Sequence, residues 1–207
     1  MDIKNEQSME QVILETAERL FLEKGFASTS TTEIAREVGC NQALIHYYFR
    51  TKDNLFNTIF EQKFKQFFHE LFEINNADDM TFQEKLKHII ESHFDLLLKN
   101  PRLPLLILNE LSRQPEQVAI LREKLHSFPE KLFTKLNKEL AVEIENGRIR
   151  EINVVDLIIT TVSINISLFV MMPIVEKVIP LNETQKNFML AHRRSENVDF
   201  ILKSLRP

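Results

Sequence analysis

The sequence predicts an all-α protein, and three observations support this fold class. Only 3 glycines occur among 207 residues, although sheet-rich folds use glycine for tight turns and bulges. Leu, Glu, Lys and Gln, which favour helices, are abundant. Apolar residues recur at helical spacing in long segments that are bounded by glycine, asparagine or proline. We therefore expect long helices joined by short connections.

The composition excludes several classes of protein. Hydrophobic residues make up 43% of the chain and charged residues 27%, as in ordinary globular proteins. The single cysteine, Cys40, excludes an internal disulfide and a cysteine-based metal site. The first residues are polar rather than signal-like, so we expect a cytoplasmic location. The most apolar stretch, 157–172, is short and interrupted by polar residues, which favours a core or interface helix over a membrane span.

Local capping signals delimit the first helices. The first predicted helix spans 9–24 and ends at Gly25, a residue type that often follows a helix. Ser30, with Glu33 three residues later, has the form of a capping box for a short second helix. That helix is expected to stop at Gly39.

Two further helices follow in the N-terminal region. Asn41 can cap a short third helix that ends near Tyr48, and Thr51 can cap a fourth helix over 52–72. The polar stretch 75–81 then interrupts the helical pattern.

The remaining pattern is also helical. We expect a kink near Pro129, a helix end at Gly147 and a loop between Pro173 and Pro180. The region around 164–168 alternates like a strand, but its length and its helical neighbours favour a buried helix. The predicted C-terminal helices span 82–99, 103–112, 115–146, 153–171 and 183–205.

The segment 31–49 has the spacing of a helix-turn-helix. Ala35 is small where the two helices must approach closely, and Gly39 stands where the turn needs a positive φ. Apolar residues are expected to fix the angle between the helices: Ile34, Val38, Cys40, Ile45 and Tyr48. The outward residues of the second helix can then reach base edges in the major groove of DNA.

These residues carry a family resemblance. Residues 25–39 (GFASTSTTEIAREVG), followed by residues 46–52 (HYYFRTK) and Leu55, resemble the DNA-binding domain of the TetR (AcrR-like) family of transcriptional regulators over about 9–60. Beyond residue 60 only the helix pattern is similar. The resemblance implies a three-helix DNA-binding head and a helical C-terminal domain that binds an effector and dimerises through its last two helices.

The resemblance also implies a domain division and a set of DNA contacts. Residues 1–52 would form the head, with the motif at about 32–51, and residues 53–207 the ligand-binding and dimerisation domain, joined by the helix that starts near 52. Four residues would face the groove: Gln42, Ala43, His46 and Tyr47. Four would approach phosphates: Ser30, Thr32, Tyr48 and Lys52. Asn41, Ala43-Leu44 and His46 depart from the common pattern, so the operator sequence is not predicted.

The overall charge argues against a nucleic-acid partner, but the local charge does not. The net charge is −4 and the isoelectric point near 5.9, whereas residues 28–52 hold three basic and two acidic side chains. Hydroxyl and backbone N–H groups can contact phosphates without net positive charge. We therefore expect specific binding with a modest dependence on salt.

Polar residues in the C-terminal helices have two interpretations. His93, Asn109, Glu110 and Arg113 are either ordinary buried or interface polar groups, or they line an effector pocket. The neighbouring phenylalanines, Phe64, Phe67, Phe68 and Phe72, are core material for the domain junction from which an apolar pocket can open. The expected effector is therefore a small molecule that is at least partly apolar.

Other kinds of site find little support. Glu84, His88 and His93 have no further ligand motif, so we expect neither a metal nor a cofactor. Cys40 is either a turn-packing residue or, if exposed with a depressed pKa, a redox-sensing thiol. No catalytic triad, phosphate loop or paired-carboxylate motif is present, so an enzyme is not expected.

The sequence thus predicts a homodimeric regulator of double-stranded DNA, without a membrane partner. It would be a repressor that a small molecule releases from a pseudo-palindromic operator, through a coupling of about 1–3 kcal/mol. The alternative is a helical module that binds protein rather than DNA. A weaker alternative is an enzyme with an unrecognised C-terminal site.

Overall fold

The computed structural model describes residues 8–76, 79–113 and 127–207, and the regular secondary structure within these ranges is α-helical. The predicted all-α class is therefore confirmed. In chain order the helices are α1 (Met9–Lys24), α2 (Thr31–Val38), α3 (Gln42–Phe49), α4 (Lys52–Asn76), α5 (Phe82–Lys99), α6 (Leu103–Arg113), α7 (Ser127–Glu145), α8 (Val154–Val178) and α9 (Glu183–Ser204).

The chain divides into two compact units. Of the described residues, 8–64 and 105–113 form the first unit, and 65–76, 79–104 and 127–207 form the second. The backbone of α4 passes from the first unit into the second after Phe64. The predicted functional division after residue 52 stays a prediction.

The first unit is built around α1. Ile13, Ala17 and Leu20 lie on one stripe of this helix and are buried, as their spacing predicts. Three phenylalanine rings extend this core, with centroid separations between 4.8 and 5.5 Å: Phe21, Phe26 and Phe56. Ion pairs tie α1 to its neighbours, from Arg19 to Glu37 on α2 and from Lys63 on α4 to Glu18.

The second unit has its own core between α5, α7, α8 and α9. An ion pair with two parallel N–H···O contacts, from Arg194 on α9 to Asp95 on α5, links two of these helices at 2.7 and 2.8 Å. The buried apolar residues come from all four helices, from the segment between α7 and α8, and from the residue that follows α9: Phe82, Leu86, Ile90, Leu136, Leu140, Ile149, Leu157, Val198, Ile201 and Leu205.

Helix ends follow the local signals in the sequence. The helix end predicted at Gly147 lies close to the observed one, since α7 ends at Glu145 and Gly147 adopts φ 66° two residues later. Asn182 caps α9, and its side chain and that of Gln185 satisfy each other's backbone N–H. The expected start of α7 at Pro115 lies outside the described residues, and Pro129 is the third residue of α7 as described.

Helix α8 corrects two expectations. It does not stop before Pro173 but continues to Val178, so the expected loop between Pro173 and Pro180 contains another turn of helix. It is also buried on one face only, because Leu157, Thr161, Asn165, Phe169 and Met172 are buried while an apolar row beside them is exposed.

Helix α8 is unusually apolar, and its packing in the second unit accounts for the apolar residues of one face. By length and composition alone the helix could cross a membrane. However, the Asn165 side chain is fully buried in the second unit and donates to the carbonyl oxygen of Ile90 on α5 at 2.9 Å. The buried face of α8 therefore packs on protein, including polar groups that lipid would not satisfy.

Candidate nucleic-acid interface

The α2–α3 unit is delimited by a side-chain cap at the start of each helix and by the backbone conformation of Gly39 between them. Ser30 accepts a hydrogen bond from the backbone N–H of Glu33 at 3.1 Å, and Asn41 accepts one from Ala43 at 2.9 Å. Gly39 lies between these helices in the left-handed region, with φ 78° and ψ 28°. This conformation costs glycine little, so the predicted need for a positive φ here is confirmed.

Apolar packing holds α3 against α2, with one correction to the expected set. Ile34, Ala35 and Ile45 are buried, as predicted. Tyr48 was expected among them but is 38% exposed, whereas Phe49 is 5% exposed. The physical reason is spacing, because Phe49 follows Ile45 by four residues and so lies on the same helix face.

The outer face of α3 carries the residues that were predicted to face the groove. Tyr47 is 77% exposed, and Ala43 and His46 are also exposed. Gln42, at the first position of α3, is half-buried because its side chain contacts α2. A helix with an exposed polar and aromatic face of this length fits the major groove.

Gln42 has hydrogen-bond partners on both α2 and α3. Its Nε2 lies 3.0 Å from Thr31 Oγ1, and its Oε1 lies 3.0 Å from Thr32 Oγ1. Thr31 was not identified from the sequence, since the run of hydroxyl residues before Glu33 suggested only a connector and a cap. The structure brings these two threonines and Gln42 together.

The residues predicted to approach phosphates differ in how their polar groups are used. The hydroxyl oxygen of Ser30 accepts from a backbone N–H, which leaves its proton for a phosphate oxygen. The Thr32 hydroxyl donates its proton to Gln42 instead. The exposed Tyr48 ring lies edge-on to Tyr47, with centroids 5.3 Å apart.

Lys52 is tied to the connector between α1 and α2. Its Nζ donates to the carbonyl oxygens of Phe26 and Thr29, each at 2.9 Å, and lies 4.1 Å from the centroid of the Phe26 ring. An ammonium group has three N–H donors, so one donor remains for a phosphate. Lys52 therefore braces the connector that leads to Ser30.

Charge pairing reduces the positive field of the head. Lys24 and Glu33 form an ion pair, and this contact holds the pKa of the Glu33 carboxyl below its usual value. Arg36 lies only at the outer limit of an ion pair with Glu33, at 3.9 Å, and most of its side chain is exposed. Arg36 and Arg50 are thus the exposed basic residues of the α2–α3 region.

The residues predicted to bind an effector are only partly described. His93 is 9% exposed, and burial lowers its pKa to about 4. Asn109 is exposed on α6. The side chains of Glu110 and Arg113 lie outside the described residues.

His93 belongs to a buried polar cluster that sequence reasoning did not assemble. Asn165 Nδ2 lies 3.1 Å from His93 Nδ1, and Asn197 Nδ2 donates to Asn165 Oδ1 at 2.9 Å. The amide group of Asn165 also donates to the Ile90 carbonyl oxygen, so it must donate to His93 and leave the ring proton on Nε2. The signal in the sequence was Asn165, the one carboxamide side chain among the apolar and hydroxyl residues of 157–172.

Metal binding finds no support in the described parts of the chain. Within them, no group of three or more His, Cys, Asp or Glu side chains has a geometry that could hold a metal ion.

Comparison with known proteins identifies the N-terminal region. Residues 13–59 match the family of bacterial regulatory proteins described as the tetR family. The chain is 27% identical over 139 residues to the fatty acid metabolism regulator protein of Bacillus subtilis, which covers 67% of this chain and 70% of that protein. It is 42% identical over 55 residues to the HTH-type transcriptional regulator AcrR of Shigella flexneri, covering 27% and 26% of the two chains.

Solved structures share the fold along almost the whole chain. The transcriptional regulator FadR from Bacillus subtilis, in complex with stearoyl-CoA, superposes with a TM-score of 0.69 at 20% identity, covering 94% of this chain and 98% of that one. A tetR-family regulatory protein from Rhodococcus RHA1 superposes with a TM-score of 0.74 at 16% identity, covering 97% and 98%. At these identities the structures establish the fold, and the family match over residues 13–59 shows similarity to the DNA-binding region of tetR-family regulators.

Proposed function

We propose that this chain, whose residues 13–59 match the tetR family of bacterial regulatory proteins, is a homodimeric transcriptional repressor that a small molecule with a long apolar chain releases from DNA. The observation that carries the DNA-binding part is the outer face of α3. There His46 and Tyr47 are exposed on a helix whose inner face is fixed by Ile45 and Phe49. Repression of chromosomal genes would place the protein in the cytoplasm.

A homodimer is supported by exposed apolar surface on the last two helices. On α8, two groups of apolar side chains at helical spacing lie open to solvent, one near the start of the helix and one near its end: Val155, Ile159 and Val162, then Met171, Ile174 and Val178. On α9, Phe188 and Phe200 are also exposed. A twofold pairing of these helices would bury the row, and it would set two recognition helices about 34–36 Å apart, one turn of DNA.

The effector class is suggested by the relatives. The Bacillus subtilis relative is named as a fatty acid metabolism regulator, and the structurally similar FadR holds stearoyl-CoA. We extend this to the present chain as a long-chain acyl thioester that would bind among the helices of the second unit. Phe67 and His93, whose ring centroids are 5.6 Å apart there, offer an apolar side chain beside a neutral polar one.

Release of DNA requires that the effector bind better to one state of the protein than to another. Typical coupling free energies of about 1–3 kcal/mol weaken DNA binding by roughly 5- to 150-fold. Helix α4 is continuous in backbone from Lys52 through to Asn76 and contributes residues to both units. It is therefore the element that we propose to transmit the change.

DNA binding is tested by gel shift and fluorescence anisotropy with the full chain and the region upstream of its own gene. We expect specific retardation, and loss of it in Tyr47→Ala together with His46→Ala. Glu145→Ala, at an exposed position at the end of α7, is the matched control that should bind as the unaltered chain does. Failure to retard any fragment at low salt and without ligand would favour a protein-binding module instead.

The effector is tested by titrating preformed protein–DNA complex with stearoyl-CoA, octanoyl-CoA, stearate and coenzyme A. We expect stearoyl-CoA to lower DNA affinity at least fivefold at concentrations where coenzyme A alone has no effect. Equal effects of stearate and stearoyl-CoA would mean that the protein recognises the acyl chain of the effector and not its coenzyme A group. No effect of any of the four compounds would contradict the proposed effector while leaving the DNA-binding function intact.

A further inference from the structure

Two helix N-termini meet through the side chain of Gln42. This residue opens α3, and its amide contacts Thr31 and Thr32, the first two residues of α2, with both contacts at 3.0 Å. Neither threonine caps its helix, because Ser30 and Asn41 serve as the caps of α2 and α3. The two hydroxyl groups are therefore available to hold the amide rather than the backbone.

His46 determines which way the Gln42 amide points. The Nδ1 atom of His46 lies 2.9 Å from the carbonyl oxygen of Arg50, which can only accept, so Nδ1 carries the proton. In the neutral ring Nε2 is then an acceptor, and it lies 3.5 Å from Gln42 Nε2. An accepting nitrogen favours the NH₂ end of the amide as its neighbour, so the oxygen end faces Thr32.

Counting donors and acceptors shows what Gln42 has left to offer. Of its two N–H groups, one donates to Thr31 and the other points to His46 at the limit of a hydrogen bond. Of its two oxygen lone pairs, Thr32 occupies one. One lone pair and one weakly engaged N–H remain, and an acceptor beside a donor complements N6–H and N7 of adenine in the major groove.

We propose that Thr31 and Thr32 are positioning residues that hold Gln42 to read one adenine in each half of the operator. The inference rests on the proposed DNA-binding function. It adds which base is read and which residues hold Gln42 in position to read it. It also gives the Thr32 hydroxyl a different role from the phosphate contact that the family resemblance implies. A glutamine held in place before binding loses less conformational freedom when the base is engaged.

The test measures base preference rather than affinity alone. An operator is selected from random duplex DNA with the full chain, and dissociation constants are measured for it and its single-base-pair variants. In Gln42→Ala, the preference for A·T at one pair of each half-site should fall from about tenfold or more to about twofold. The double variant Thr31→Val, Thr32→Val should lose at least threefold of the same preference and none at other pairs.

Two further variants separate positioning from folding. Thr31→Ser with Thr32→Ser keeps both hydroxyl groups and should restore the preference, and Ser28→Ala, at an exposed site on the connector, should leave every preference unchanged. Gln42→Glu, which keeps both threonines, should shift the preferred pair from A·T toward C·G, because a carboxylate accepts from cytosine N4.

Several outcomes would contradict the inference while leaving the proposed DNA-binding function intact. These are an unchanged preference in the double valine variant, a uniform loss of affinity at all pairs, or a Gln42-dependent pair other than A·T. If no duplex is enriched by the unaltered chain, the proposed function fails first, and the inference fails with it.

Discussion

Arg50 lies in the connection between α3 and α4. Its φ of 68° and ψ of −54° are those of a γ-turn, and the N–H of Thr51 donates across it to the Phe49 carbonyl oxygen at 2.7 Å. A side chain other than glycine is strained in this region, by about 1–3 kcal/mol. The turn allows α4 to begin after only two intervening residues, Arg50 and Thr51.

Arg50→Gly should therefore stabilise the protein while weakening DNA binding. Relief of strain should outweigh the larger unfolded-state entropy of glycine, giving a net gain of about 1 kcal/mol in the free energy of unfolding. Loss of an exposed cation should reduce DNA affinity. Arg50→Ala, which removes the charge but retains the strained φ, should lose the same affinity without the gain. Urea denaturation and anisotropy measure the two effects, and a glycine variant less stable than the alanine variant would contradict the strain.

His93 should make stability depend on acidity. Burial lowers its pKa to about 4, below the ordinary value of 6.5, so between these values the unfolded chain binds more protons than the folded one. Stability should then fall as the pH decreases from 6.5 toward 4, by up to about 3 kcal/mol. His93→Gln keeps an acceptor for Asn165 and should show a flatter decline in urea denaturation between pH 7 and 5. Equal slopes for the two proteins would contradict this assignment.

At the scale of elements, capping residues and glycines in the sequence predicted most helix ends, whereas the remaining ends depend on tertiary packing. Capping residues and glycines near Ser30, Gly39 and Asn182 act within a few residues of chain, so they were readable from the sequence. Pro173 was read as a helix terminus, but α8 continues through it because Phe169 and Met172 on the preceding turn pack in the second unit.

In the candidate DNA interface, too, local sequence predicted some features and tertiary packing decided others. The exposed positions of Ala43, His46 and Tyr47 followed from helical periodicity and the family resemblance. The contacts of Gln42 with Thr31 and Thr32 join residues about ten positions apart on different helices. No local rule predicts such contacts, since they depend on the angle between α2 and α3.

Pro173→Ala should strengthen α8. The proline lacks the N–H that would donate to the Phe169 carbonyl oxygen, and its ring crowds that oxygen, so the substitution should add about 1–3 kcal/mol of stability. Pro180→Ala, beyond the end of α8, should change stability little. Thermal and urea denaturation provide the comparison. A loss of stability in the first variant would mean that the packing of α8 requires proline at this position.

For the whole molecule, the exposed row on α8 should control assembly and therefore DNA binding. Ile159→Glu places a charge among the exposed apolar residues near the start of α8, and burying an unpaired charge in an interface is strongly unfavourable. We expect monomers by sedimentation and loss of operator binding. Val142→Glu alters an equally exposed apolar residue on α7, and it should remain dimeric. A dimeric Ile159→Glu protein that binds DNA normally would exclude α8 from the interface.

The distribution of charge over the whole molecule predicts that DNA affinity falls only gradually as the salt concentration rises. Each head offers Arg36, Arg50 and, with one free donor, Lys52 to phosphates, so a dimer would displace counterions at about six phosphates. The slope of log affinity against log salt concentration should be about −5 or shallower. Anisotropy titrations between about 50 and 300 mM KCl measure it. A slope near −10 would require cations beyond the α2–α3 region.

The one-sided burial of α8 also bears on how much regulator a cell can keep. A protomer that holds an apolar row open to water gains stability only when it meets its mate, so its folding free energy rises with protein concentration. Newly made chains would be vulnerable to proteolysis until they pair, and scarce chains would stay vulnerable for longer. If α8 pairs the two protomers as we propose, the abundance of the protein would respond more than proportionally to its rate of synthesis, and this helix would set a threshold for control.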